Sequence, residues 1–229
     1  LEQEEQQPSM ITMVEKQKRG KHRYNIFLNE EYAFSVHEDI LIKHRLVKGE
    51  LVNSHEIERI IQDEEQNNAY MKALRVIGRR PHSSSELKRK LKETGYEPPV
   101  IEWVIDKLAS QNYLNDEEFA KMWTDSRIIS QKKGRNLVRQ ELQQKGIRKE
   151  LVKHAMDNIN PEDEIAGAMK LAQTKWKQTS GETFEKKRKT AAFLMRRGYT
   201  GAVVTKVLSQ LSSESSEDEF EILDDSFDY

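Results

Sequence analysis

Three glycines set the frame of this chain. Gly95, Gly146 and Gly198 lie 51 and 52 residues apart, and the same apolar positions recur around each. Four residues upstream stand Leu91, Leu142 and Leu194, and one residue downstream stand Tyr96, Ile147 and Tyr199. Further on come Val100-Ile101, Leu151-Val152 and Val203-Val204, then Val104-Ile105, Ala155-Met156 and Val207-Leu208, and finally Leu108, Ile159 and Leu211. A leucine one turn before a glycine reads as a helix closed by a C-terminal glycine. Apolar pairs four apart beyond it read as a second helix. A further helix precedes each copy, at roughly 66–78, 115–131 and 161–176. A unit repeated at this period cannot bury its apolar face alone and has to stack on its neighbours. The chain is therefore expected to fold as tandem three-helix units.

Local signals place the helix ends. Ser83-Ser84-Ser85-Glu86 is a capping box, and Asn115 with Glu118 makes a second capping signal. Pro98-Pro99 opens one helix, and Pro161 after Asn160 opens another in the favoured first-turn position. Gly134 is expected to close the helix that carries Phe119, Trp123 and Ile128. The three tryptophans, Trp103, Trp123 and Trp176, fall within apolar helical patterns and are expected to pack in the core.

The first fifty residues obey a different period. Ile11 to Val14 form one strand-like run, while Tyr24, Ile26 and Leu28, then Tyr32, Phe34 and Val36, alternate with polar neighbours across turns at Gly20 and Asn29-Glu30. This is the pattern of a small antiparallel meander. Three short strands need a surface to pack on, and Ile40, Leu41, Ile42 and Leu46 of the next helical segment supply one. The expected fold is mainly α: tandem three-helix, helix-turn-helix-like repeats in an elongated curved array, preceded by a small antiparallel β-meander. The expected divisions are a disordered start (1–9), a β-rich region (10–53) and a first repeat with its lead-in helix (54–114). A second repeat (115–160), a third (161–211) and an acidic disordered tail (212–229) follow.

Charge divides along the same lines. The formal net charge of −1 conceals 29 Lys and Arg against 17 Asp and Glu over residues 66–211, followed by eight acids and no base over 212–229. Bases gather near the same helix of each unit. A repeated basic stripe can follow a phosphate backbone, and such binding weakens steeply with salt. The alternative is an ordinary solvated helix face, since Glu86, Glu93, Glu141 and Glu185 lie among the bases.

Several function classes drop out. The chain has no cysteine, which removes disulfides, thiolate metal sites and thiol nucleophiles. Gly20-Lys21 lacks the rest of a phosphate-binding loop, and His55-Glu56 has no second histidine one turn on. The six histidines are scattered without metal-ligand spacing. No apolar run approaches the ~18–20 residues that span a bilayer, and no signal-peptide pattern opens the chain. The expectation is a cytoplasmic, monomeric protein that is not an enzyme and uses no cofactor, metal or membrane. A helix, a glycine turn and a bracing helix also describe the helix-turn-helix DNA readers. On these residues alone a sequence-specific DNA-binding regulator, a non-specific polyanion binder and a protein-binding scaffold all stay open.

Further residues support a resemblance. Tyr113 to Ala120, then Trp123, Arg127, Gly134 and Arg135, then Glu141 to Ile147, resemble the signature of the RecX family of bacterial regulators. Arg79-Arg80-Pro81-His82 with Ser83 to Leu87, Lys90 and Leu91 is similar to its first-repeat motif, and residues 10–53 resemble the extension of its longer members. The resemblance implies a non-enzymatic modulator that binds filaments of the RecA recombinase on DNA, and also single- and double-stranded DNA with little sequence preference. It implies inhibition of ATP hydrolysis, strand exchange and SOS-repressor cleavage. The DNA- and filament-facing residues would then be Arg79, Arg80, Lys88, Arg89, Lys132, Lys133, Arg135, Arg139, Lys186, Lys187, Arg188, Lys189, Arg196 and Arg197.

Overall fold

The computed structural model describes residues 8–20 and 22–224, with side chains as far as Ser213; the expectations for residues 1–7 and 225–229 lie outside it. The chain forms two compact units, residues 1–81 with 87–113, and residues 82–86 with 114–229.

In the first unit, β1 (Ser9–Lys16), β2 (Arg23–Leu28), β3 (Glu31–His37) and β4 (Leu51–Val52) make one antiparallel sheet in the order β3-β2-β1-β4. Alternation puts Ile11, Ile26 and Val36 on the buried face. The β2–β3 turn has positive φ at Asn29 (49°) and Glu30 (72°), the turn geometry that matches strand twist in a two-residue hairpin. Strand β4 is an addition to the expected meander: two residues are too few to show a period. Helix α1 (Glu38–Lys43) contributes Ile40, and Leu46, Val52 and Ile60 complete this core.

Ile60 lies on α2 (Ser54–Ile77), a single 24-residue helix of about 36 Å that merges the lead-in with the first repeat's opening helix. Asn53 and Glu56 cap it reciprocally, each side chain accepting from the other's backbone N–H. Arg23 on β2 donates to Glu64 on α2 at 2.8 Å, and the other Glu64 oxygen accepts the His37 backbone N–H at 2.7 Å, which fastens the sheet to the helix. Helices α3 (Ser84–Glu93) and α4 (Pro98–Ser110) follow, with Leu87, Leu91, Val104 and Leu108 of the unit buried.

The second unit carries two repeats. One is α5 (Asp116–Asp125), prolonged by a π-helical turn over Ser126–Ser130, then α6 (Arg135–Gln144) and α7 (Lys149–Asp157). The other is α8 (Pro161–Lys177), α9 (Thr183–Arg196) and α10 (Gly201–Asp224). Each builds its own core, around Phe119, Ile128, Leu142 and Val152 in one and Trp176, Leu194, Tyr199 and Val207 in the other. The repeating frame is a burial frame: Leu91, Leu142 and Leu194 are all 1 % exposed or less. Gly95, Gly146 and Gly198 all take positive φ, at 92°, 73° and 90°, where a side chain is strained.

Two expectations change. Gly134 does not end the α5 segment, which stops at Ser130; it is the N-cap of α6. The acidic segment from 212, expected to be disordered, continues α10 to Asp224. No glycine or proline follows Gly201, so nothing local interrupts a helix already nucleated on the third core.

Candidate functional site

Within the second unit, one docking pattern occurs twice. The Ser83 hydroxyl donates to the Lys145 carbonyl at 2.6 Å, just before the Gly146 turn. A Cβ on Gly146 would lie 2.2 Å from the Ser85 hydroxyl. At the second place the Gly134 N–H donates to the Arg197 carbonyl at 2.9 Å and the Asn136 N–H to the Gly198 carbonyl at 3.0 Å. A Cβ on Gly134 would lie 2.2 Å from the backbone of Gly198 and Tyr199. In each case the start of a middle helix sits on the glycine turn of the following repeat. The turn that suggested a groove-reading motif is thus used for stacking repeats.

A polar cluster ties the second repeat together. Glu141 on α6 accepts from Trp123 Nε1 at 2.9 Å, Arg127 Nε at 2.8 Å and Lys133 Nζ at 2.6 Å. Two cations lie close to the Trp123 indole, the Arg127 guanidinium 3.6 Å from its ring centre and Lys145 Nζ 3.9 Å away. Lys145 also pairs with Glu86 at 2.8 Å, and Glu86 and Ser83 form the expected reciprocal cap. Burial works to raise the Glu141 carboxyl, but hydrogen bonds from Lys133, Arg127 and Trp123 outweigh it and hold the group below its ordinary value. Next to this cluster Glu164, buried on α8, accepts from the Arg135 backbone at 3.0 Å and from its Nε at 2.8 Å. Tyr199 is buried and donates to the Lys132 carbonyl at 2.8 Å. Burial, and Glu164 close by, push its hydroxyl up to about 12. Trp123, Arg127, Gly134, Arg135, Glu141, Lys145 and Gly146, which helped to carry the family resemblance, are therefore structural ties.

This geometry sorts the expected interface residues. Lys133 and Arg135 are held by Glu141 and Glu164, so their first role is packing the repeats. Lys88 pairs with Glu102 at 2.7 Å in the first unit. Arg89 is 3.9 Å from Glu93, and Arg188 and Lys189 are 3.8 and 3.2 Å from Glu185, all on exposed surface where such pairs contribute little. Arg79 and Arg80 are exposed just beyond α2; Arg80 donates to the Pro81 carbonyl at 2.8 Å. Arg139, Lys186, Lys187 and Arg196 have no acid partner among the described residues. The same holds for Lys132, which sits at φ 49° in the loop before α6, and for Arg197, which lies against the Phe193 ring. The Tyr199 hydroxyl, bonded to the Lys132 carbonyl, and the Gly134 N–H, bonded to the Arg197 carbonyl, bring Lys132 and Arg197 to one junction between repeats.

Lys149 and Lys153 on α7 belong to the second unit's run of bases but were not counted among the interface residues; with Asp157 they line a cleft of about 260 Å³ together with Arg139 and Gln143 of α6. Their spacing of four residues was the available signal; that α6 would face it was not.

Among the described residues no group of three or more His, Asp or Glu stands where it could hold a metal, and no helix is long and apolar enough to cross a membrane.

Comparison with known proteins covers nearly the whole described chain. The Regulatory protein RecX N-terminal domain matches residues 9–53, and the first, second and third three-helix domains of RecX match 69–108, 115–156 and 162–208. The regulatory protein RecX of Bacillus subtilis is 33% identical over 209 residues, which cover 91% of this chain and 79% of that protein. The regulatory protein RecX of Listeria monocytogenes is 31% identical over 215 residues, covering 93% and 80%. A crystal structure of regulatory protein RecX aligns with a TM-score of 0.74 at 30% identity, covering 87% of this chain and 98% of that one. A structure of RecX from Lactobacillus salivarius shares the fold, with a TM-score of 0.63 at 18% identity over 66% of this chain and 98% of that one. Matched in its strand-rich start and in all three helical repeats, the chain belongs to the RecX family of regulatory proteins.

Proposed function

We propose that this regulatory protein binds filaments of the RecA recombinase on DNA, contacts the DNA with little sequence preference, and restrains the ATPase, strand-exchange and coprotease activities of the filament without catalysing a reaction itself. The observation that carries the reading is the family match over the N-terminal domain and all three three-helix domains. The excess of bases over residues 66–211 supports contact with an assembly rich in phosphate. Arg79, Arg80, Lys88, Arg89, Lys132, Lys133, Arg135, Arg139, Lys186, Lys187, Arg188, Lys189, Arg196 and Arg197 are proposed to face DNA or acidic filament surfaces. Those without a buried acid partner contribute most. Stacking on the Gly146 and Gly198 turns weakens the groove-reading alternative there, because contacts between repeats already use them.

The test is the single-strand-dependent ATPase of RecA filaments, titrated with this protein from far below one per protomer upward. Inhibition at low ratios supports filament modulation and favours end-capping or long-range action over coating. No effect at any ratio, with no co-pelleting with filaments, overturns it and turns attention to duplex-sequence selection.

A further inference from the structure

We infer that the exposed side of α9 is a base-stacking site for single-stranded nucleic acid, with Phe184 as the stacking ring. The inference rests on the proposed contact with DNA and names the form of DNA that this surface selects.

Phe184 is 75 % exposed, more than any other large hydrophobic side chain described. The other aromatics of the second unit's cores are engaged: Phe119 stacks with Trp123, Trp176 and Tyr199 are buried, and Phe193 packs against the third core. Phe184 belongs to none of these clusters, although it stands at the start of a helix whose other side builds one. An aromatic ring left in water is a face available to a ligand.

Its neighbours specify which ligand. On a helix the residues three and four further on lie beside it; here they are Lys187 and Arg188. Helix α9 carries five bases, Lys186 to Lys189 and Arg196, against one acid, Glu185. Lys186 and Lys187 have no acid partner among the described residues. Met195, 58 % exposed, lies three turns along on the same side, about 16 Å away. Cations that take phosphates, interleaved with an exposed ring, are the elements of a single-strand platform. Duplex DNA uses the same cations but keeps its base faces stacked inside, so the ring adds affinity only for an unpaired strand. The apolar strip is too narrow for a helix lying in a lipid surface, which needs a whole apolar face.

The test is fluorescence anisotropy of a labelled oligothymidylate, an abasic strand and a duplex of equal length at low salt, using wild type, F184A and F184W. F184A is expected to bind the oligothymidylate about tenfold more weakly, with duplex and abasic-strand binding within about twofold of wild type. F184W is expected to restore the loss. An F184A protein that binds the oligothymidylate as wild type does, or that loses single strand and duplex by the same factor, overturns the stacking site while leaving DNA contact standing. A wild type that binds none of the three brings down both readings.

Discussion

Glu141 concentrates the electrostatics of the second repeat in one carboxylate. It receives three donors from three points of the chain, two of them cationic, at 2.6 to 2.9 Å. Removing it leaves Arg127 and Lys133, both mostly buried, without their partner. Losing one member of such a set costs more than the net contribution of the set itself. Glu141→Gln is therefore expected to destabilise the protein by about 2–3 kcal/mol near neutral pH, read as a shift of the urea midpoint. The pH dependence has a definite sign. Folding lowers this carboxyl below the ordinary 4.5, so its contribution is complete above that value and is lost as pH falls through the lowered folded value. Wild type and variant should converge in acid and diverge at neutrality. A gap that stays constant across that range would mean the charge is not what Glu141 contributes. Arg135→Gln tests the neighbouring pair with Glu164. It should lower stability in the same assay, whereas Arg139→Gln, exposed and bonded only to Asn136 at 3.2 Å, should leave stability within about 0.5 kcal/mol.

The glycine turns and the helix starts docked on them make the elements into an array, and two glycines separate the physical reasons for having one. Gly134 has an ordinary φ of −76° but no room, because a Cβ would meet the backbone of Gly198 and Tyr199. Gly95 has a φ of 92° and nothing within 4 Å of where a Cβ would be. Gly→Ala changes the unfolded chain equally at both sites, so the comparison reads the folded state. Gly134→Ala is expected to cost about 3 kcal/mol through backbone crowding, and Gly95→Ala about 1–2 kcal/mol through left-handed strain alone. Thermal melts that rank them the other way would refute the close approach. The same pair shows what a sequence reveals. The turn at Gly95, the Leu91 frame and the Ser83 and Asn115 caps were legible because each is settled within a few residues. The docking of Gly134 on Gly198 and the bond from Tyr199 to Lys132, 67 residues apart, were not, because no local spacing records them. Strand β4 was too short to show a period. The clustering of bases was visible in the site, but the buried carboxylates that claim Lys133 and Arg135 were not. The exposure of Phe184 has no local signal either, because it shows only as absence from a core built by distant residues.

Over the whole molecule two opposed charges face each other in sequence: twelve excess bases over 66–211, then eight acids with no base. Binding to DNA releases condensed counterions, so each phosphate contact adds about 0.7–0.9 to the slope of log affinity against log salt. Reversing Arg79, Arg139, Lys186 and Lys187, which no acid holds among the described residues, should flatten that slope by about three while leaving the thermal melt in place. Filament binding unchanged by this reversal would remove these residues from the interface. The acidic segment is expected to act on the same balance from the other side. Its eight acids are tethered to the basic body by the chain itself and are expected to compete with phosphates for the same cations. A chain ended at Leu211 is accordingly expected to bind DNA several-fold more tightly than the full chain at low salt. The advantage should fade as the ionic strength passes about 0.15 M, where charges more than about 8 Å apart are screened. Titrating both chains against the same oligonucleotide across a salt series measures it directly. A constant gain at every salt would point to steric rather than electrostatic exclusion by the tail, and no gain at all would leave the acids as a solubilising surface.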